Sequence, residues 1–276
     1  MPMDKPMTAT ATATTPTAST TTSPASAAAT LAPHQRARIR AITLDLDDTL
    51  WPFLPVIRRA EQVLHDWLLA HAPRTAPVLA ARPGLLRELR EAVQRERPEL
   101  AHDLSGMRLE SIRRLLLQAG EGPALARPAF DAFFAERQRV VLYDDTLPAL
   151  DWLAARFALV AVSNGNADVA RAGLGRYFRA AFSASSYGKA KPHADIFHAA
   201  AAAAGVPAAA VLHVGDDPRL DVAGAHAAGM LTAWVARADA DGSLPDWRQC
   251  GEGPPPHLTV PDLGALCTAL QGPSHA

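Results

Sequence analysis

Four clusters of polar residues in this chain have the types and spacing to do chemistry. Asp45-Leu46-Asp47-Asp48-Thr49 ends one apolar run, and Ser163-Asn164-Gly165-Asn166 ends another. Lys191 precedes Pro192, with Lys189 close by. Gly215-Asp216-Asp217 ends a third apolar run, and Asp221 follows. Singly, each has an ordinary explanation. Acids such as Asp48 and Asp217 after a strand serve as turn or cap residues, and Ser-Asn-Gly-Asn is a turn composition. A Lys before Pro is ordinarily a solvated loop residue. Together they read differently. Asp45, Asp47 and Asp216 gathered at one crevice would repel each other without a compensating cation. Carboxylate and carbonyl oxygens suit a hard divalent ion, Mg²⁺. Of 27 basic residues only Lys5, Lys189 and Lys191 are lysines. Lys191 therefore stands where a compact ammonium is wanted and the planar fork of Arg would not serve.

These clusters need a scaffold that brings their ends together. Ala41–Leu46 is a short apolar run of the kind that forms a strand buried on both faces. Strands are also expected at 159–163, 180–183, 211–216, 231–235 and 257–260. Helical patterns alternate with them near 166–173, at 193–204, at 219–228 and at 262–270. Alternation of this kind implies a parallel sheet covered on both faces, an α/β fold. All four clusters then fall at the carboxyl edge of the sheet, where ligands bind in such folds. The stretch 53–143 shows no strand. It reads as amphipathic helices at 57–71, 84–97, 107–119 and 128–140, jointed at Pro73, Pro77, Pro83, Pro98, Pro123 and Pro128. The expected organisation is a core of residues 36–52 and 144–276 carrying a helical insert of residues 53–143. Residues 1–35, rich in Thr, Ala, Ser and Pro, read as a disordered tail with no secretory signal.

Composition narrows the function. The chain has 276 residues, 49% of them hydrophobic, and a net charge of -1. Nothing in that balance suggests a nucleic-acid or anionic-membrane partner, and no apolar run is long enough to span a bilayer. Two cysteines exclude a disulfide scaffold or a cysteine-rich zinc module and fit a reducing cytoplasm. The expected partner is a small molecule.

The order of the clusters resembles the motifs of the haloacid dehalogenase-like hydrolase superfamily. Its Asp-x-Asp-x-Thr/Val motif is matched by Asp45 to Thr49, its Ser by Ser163, its Lys by Lys191 before Pro192, and its acidic motif by Gly215 to Asp221. The helical insert resembles the family's C1 cap on a Rossmann-like core. Residues 102–119, together with 163–167 and 213–225, are similar to the members acting on 5-amino-6-(5-phospho-D-ribitylamino)uracil, a step of riboflavin synthesis. This resemblance implies a Mg²⁺-dependent phosphatase. Asp45 would be the nucleophile and Asp47 the acid and base. Ser163, Asn164 and Lys191 would bind the phosphoryl group. Asp45, the Asp47 carbonyl and Asp216 would hold the metal, with Asp217 and Asp221 ordering the loop around it. In the cap, Arg108, His102 and Asp103 are candidate substrate contacts, whereas His65, His71, His193 and His226 read as structural. Rival readings are a phosphatase of other sugar or nucleotide phosphates, a 2-haloacid dehalogenase, a phosphomutase, and a non-catalytic phospho-receiver. The family's dehalogenases lack the second Asp, so Asp47 counts against that reading.

Overall fold

A computed structural model describes residues 31–238, 242–251 and 253–272. The tail expected over 1–35 lies outside these residues up to position 30. Its last part does not behave as a tail. Leu31 is buried in the main apolar cluster, and α1 (Pro33–Arg38) begins just after it. The strands are β1 (Ala41–Leu44), β2 (Ala158–Ser163), β3 (Ala180–Ser183), β4 (Val211–Gly215), β5 (Leu231–Val235) and β6 (Leu258–Val260). They form one sheet in the order β3-β2-β1-β4-β5-β6, with all neighbours parallel.

Five α-helices fill residues 53–137: α2 (Phe53–His71), α3 (Thr75–Ala81), α4 (Leu85–Glu96), α5 (Leu104–Gln118) and α6 (Ala126–Arg137). The helical period is visible in what they bury: Val56, Ala60, Leu64 and Leu68 from α2, and Leu85, Leu89 and Val93 from α4. Most of these side chains share an apolar cluster with Ile112, Leu115 and Phe133, distinct from the clusters of the sheet. Val56 belongs instead to the cluster of the sheet, so α2 reaches both units. The helix α3 replaces the joint expected at Pro77. That proline sits in the first turn, where no intrahelical N–H is required.

The remaining helices cover the sheet. They are α7 (Thr146–Ala154), α8 (Ala184–Tyr187), α9 (Ala194–Ala204), α10 (Gly224–Ala227), α11 (Trp247–Cys250) and α12 (Leu263–Gln271). Ile42 and Leu44 share one cluster with Leu150 of α7 and Leu266 of α12. Ala41 and Val160 share another with Phe197 and Ala200 of α9. The alternation of a strand's side chains thus feeds both layers. Among the described residues no helix is long and apolar enough to cross a membrane.

Two expected helices differ. Residues 166–173 form turns, because the Asp168 carboxylate accepts from the backbone N–H groups of Ala170 and Arg171 in competition with a helix. The helix expected at 219–228 is split into a wide π-type turn over Pro218–Ala223 followed by α10. The Asp217 side chain caps that turn through Arg219 N and Leu220 N.

The burial of Leu31 makes a prediction. Leu31→Ala should lower the unfolding free energy by about 2–4 kcal/mol, the range for a buried Leu. The same change at exposed Leu117 should stay within about 0.5 kcal/mol. Urea midpoints of the two variants make the comparison, and equal midpoints would remove Leu31 from the core.

Candidate active site

β1 lies between β2 and β4, so the carboxyl ends of these three strands sit side by side. Asp45 follows β1, and its backbone N–H donates to Val214 O at 2.9 Å, which extends the ladder by one residue. Ser163 closes β2, and Asp216 follows β4. Lys191 enters from the loop between α8 and α9. Asn164 fixes its backbone: Lys191 N donates to Asn164 Oδ1 at 2.7 Å, and Asn164 Nδ2 donates to Lys191 O at 2.9 Å. The structure thus ties Asn164, a candidate phosphate ligand, to Lys191.

The Lys191 ammonium is buried and donates to Asp45 Oδ1 at 2.5 Å and to Asp221 Oδ1 at 2.6 Å. Lys189, by contrast, is exposed and pairs with Asp195. Asp221 also accepts from His213 Nε2 at 3.0 Å and from Asp217 N at 3.0 Å. The carboxylate can only accept, so His213 carries its hydrogen on Nε2 and accepts from Thr43 Oγ1 through Nδ1, at 2.8 Å. Gly215 makes room for this arrangement. A Cβ there would stand 2.3 Å from the Asp221 carboxyl carbon.

Charge decides what else belongs here. Asp45, Asp216 and Asp221 offer oxygens within 4.8 Å of one another. They face one ammonium, which leaves two negative charges without a partner. Burial works against the Asp221 carboxylate, but Lys191 and His213 outweigh it and hold its pKa below the ordinary range. Burial likewise opposes the Lys191 ammonium, yet Asp221 and Asp45 hold its pKa up. Asp45 gains less. Desolvation dominates and pushes it to about 7 despite Lys191. Asp216 is pushed to about 9 by desolvation and by its neighbours Asp45 and Asp221, with Thr49 Oγ1 donating at 3.0 Å as its one relief. Asp45 Oδ2, Asp216 Oδ2 and the Asp47 carbonyl accept no hydrogen bond among the described residues. Oxygen donors with a deficit of two positive charges fit Mg²⁺. Asp221 is spent on Lys191, His213 and Asp217, so Asp45 and Asp216 are the carboxylates free to hold it.

Asp47 has its own partner. Arg137, at the end of α6, donates through Nη2 to both carboxylate oxygens, at 2.7 and 2.6 Å. Trp51 Nε1 donates to Oδ1 at 2.8 Å. Sequence reasoning missed Arg137 and His213. An Arg in an Arg-rich helix and a His inside an apolar strand carry no spacing signal.

The other expected residues fall as follows. Ser163 Oγ accepts from Gly165 N at 2.9 Å, so its own hydrogen remains available. Ser163 lines a cleft of about 310 Å³ between core and cap, together with Asn166, Ser105 and Phe134. Asp48 Oδ1 accepts from Phe53 N at 2.8 Å, at the start of α2. Asp103, a candidate substrate contact in the insert, sits at the start of α5. Its carboxylate caps α5 by accepting from Gly106 N at 2.9 Å and is thereby used within its own helix. His102 is half-buried just before that cap. Arg108 lies 3.8 Å over the Phe133 ring and pairs with Glu61 at 3.4 Å. It lines a cavity of about 680 Å³ whose lining comes from the helical insert and includes none of the strand-end residues. Burial and the neighbouring Arg90 push its guanidinium down to about 10. Of the histidines left as structural, His71 stacks on Trp67, His226 stacks on His257, and His193 caps α9. His65 lines the Arg108 cavity.

The haloacid dehalogenase-like hydrolase family matches residues 39–229. The chain belongs to that family. It is 35% identical over 237 residues to 5-amino-6-(5-phospho-D-ribitylamino)uracil phosphatase of Escherichia coli (strain K12), covering 84% of this chain and 97% of that protein. It is 32% identical over 234 residues to a phosphoserine phosphatase of Thermus thermophilus, covering 72% and 89%. Among solved structures, a 2-haloacid dehalogenase from Pseudomonas syringae pv. Tomato is similar at 36% identity with a TM-score of 0.75, covering 84% of this chain and 98% of that one. The chain is thus an enzyme of this hydrolase family, and its acidic cluster is a Mg²⁺ site.

The charge deficit predicts a linked response to pH and metal. Asp45 and Asp216 have pKa values above those of an unfolded carboxyl, so the metal-free native state binds more protons than the unfolded state. Stability of the metal-free protein should then fall as pH rises from about 5 toward 9. Mg²⁺ should reverse the loss by binding the ionised carboxylates, adding about 2.7 kcal/mol at a hundredfold excess over its Kd. Melting temperatures across pH, with Mg²⁺ or with EDTA, test this. A gain from Mg²⁺ that vanished at high pH would contradict it, and Asp216→Asn should abolish most of it.

Proposed function

We propose that the chain hydrolyses a small phosphomonoester through an aspartyl-phosphate on Asp45, with 5-amino-6-(5-phospho-D-ribitylamino)uracil as the substrate. The observation that carries this reading is the Asp45 environment. One of its oxygens is held by a buried ammonium and the other is unbonded, beside a second acid held from the opposite side. Uncatalysed phosphomonoester hydrolysis is among the slowest reactions in water, and a covalent intermediate divides it into two easier steps.

Asp45 Oδ2 attacks phosphorus in line. Lys191 and the unspent Ser163 hydroxyl hydrogen hold the phosphoryl oxygens. Asp47 gives its proton to the leaving alkoxide, and as a carboxylate it then takes one from the water that cleaves the aspartyl-phosphate. Asp45, Asp216 and the Asp47 carbonyl would hold Mg²⁺, which would supply charge neutralisation for the reaction. Substrate choice is supported by the Escherichia coli relative, of which 97% is covered. Arg108, in its cavity within the insert, is the residue we place against the ribitylaminouracil part. Residues 53–143 act as the cap and the rest as the core. The two free thiols, Cys250 and Cys267, support a cytoplasmic setting.

A haloacid dehalogenase would release halide, which needs no proton and no metal. Asp47 with its three hydrogen bonds and the cation-demanding cluster would then have no task. A receiver module would not turn over. A panel of phosphometabolites ranked by kcat/KM, with phosphoserine and 2-chloropropionate included, tests the reading. Turnover of 2-chloropropionate alone would sink it. Asp45→Asn should lose about 10³-fold or more in kcat, the scale for a lost nucleophile. Arg108→Ala should lower kcat/KM for the ribitylaminouracil phosphate about 1–3 kcal/mol more than for an aryl phosphate, the worth of a charge-assisted hydrogen bond. Equal losses would make Arg108 structural.

A further inference from the structure

Arg137 is 1% exposed, and both hydrogen bonds of its Nη2 go to Asp47. Its Nη1 is buried with no hydrogen-bond partner among the described residues. A guanidinium buried for scaffold purposes would spread its donors over several acceptors, since an unpaired buried donor is costly. This one serves a single carboxylate. The chain around it is anchored to the core. Gln138 accepts from Asp168 N at 2.7 Å and donates to Asn166 O at 3.2 Å, which ties the end of α6 to the loop after β2. Gly165 leaves the space: a Cβ there would lie 2.5 Å from Asp47 Oδ2 and 3.4 Å from Arg137 Nη2. With Trp51 also donating to Oδ1, the Asp47 carboxylate accepts three hydrogen bonds and is fixed in orientation.

The phosphatase reading, on which this inference rests, asks two things of Asp47. In the first step it gives up a proton, and in the second it must be a carboxylate aimed at water. Donors to both of its oxygens suit the second role. We infer that Arg137 is a positioning residue for dephosphorylation. It receives the carboxylate formed in the first step and holds it toward the attacking water. The water oxygen then bonds to phosphorus, and the bond between phosphorus and the Asp45 oxygen breaks with its electron pair left on Asp45. The water proton passes to Asp47, which is thereby recharged as the acid of the next turnover.

The test compares wild type with Arg137→Met on 4-nitrophenyl phosphate with Mg²⁺. This leaving group needs no proton, so the first step is spared. The variant should show a stoichiometric burst of nitrophenolate followed by slow turnover, the signature of an accumulating covalent intermediate. Its kcat should fall about 10²-fold, the scale of general base catalysis. KM should fall with kcat and leave kcat/KM within a few-fold of wild type. Mass spectrometry of the quenched variant should find the phosphoryl adduct. Arg137→Lys keeps the charge with one donor group in place of the fork, and should recover part of kcat. It carries the same test if the Met variant does not fold. Loss of kcat and kcat/KM together, without burst or adduct and with wild type active, would overturn the positioning role alone. A wild type inactive on every phosphate would overturn the phosphatase reading and this inference with it.

Discussion

The constraint on which this structure turns is a shortage of positive charge. Three carboxylates converge at the carboxyl ends of β1 and β4, and the chain provides one ammonium among them. Burying ions is expensive unless each is paired. The protein answers by sharing Lys191 between Asp45 and Asp221 and by extending the network through His213 to Thr43. Thr43 and His213 are register partners on adjacent central strands, so this chain of contacts passes through the sheet itself. The remaining deficit is the metal's share.

Two cations of different shape divide the work. Asp47 takes Arg137, whose Nη2 alone reaches both oxygens of the one carboxylate. Lys191 must instead touch two carboxylates that belong to different loops, and a compact ammonium does this where a fork would commit to one. A chain with so few lysines keeps one here for that reason. The wide turn over Pro218–Ala223 belongs to the same solution. It returns Asp221 under Gly215, where a regular helix would have directed it elsewhere.

Much of this was legible in the residues. Acids at the ends of apolar runs mark strand ends, and strand ends in a parallel sheet share an edge, so Asp45, Ser163 and Asp216 could be placed together without coordinates. The sheet and the run of helices followed from period alone. What escaped notice was set by contact rather than pattern. Asp168 turns a helical stretch into loops through its own side chain, and Pro77 is harmless because it falls in a first turn. The hydrogen bonds of Asn164 to the backbone of Lys191, and of Asp103 to that of α5, have no pattern in the sequence. Arg137 is separated from Asp47 by the whole insert, and nothing in either segment names the other.

The placement of these contacts matters for how insert and sheet can work together. The helices bury their own apolar cluster, and the sheet buries others. Near the site the links between them are polar: Arg137 to Asp47, Asn166 to Ser105 at 3.1 Å, and Gln138 to the backbone of Asp168. Parting the two units there would exchange hydrogen bonds for water at modest net cost and would leave both cores covered. Parting an apolar seam of the same size would not. Arg137 is the most demanding of these links, because its separation leaves a carboxylate and a guanidinium to be rehydrated. The Asp47 carboxylate is therefore held by the same contact that registers whether the helices are seated.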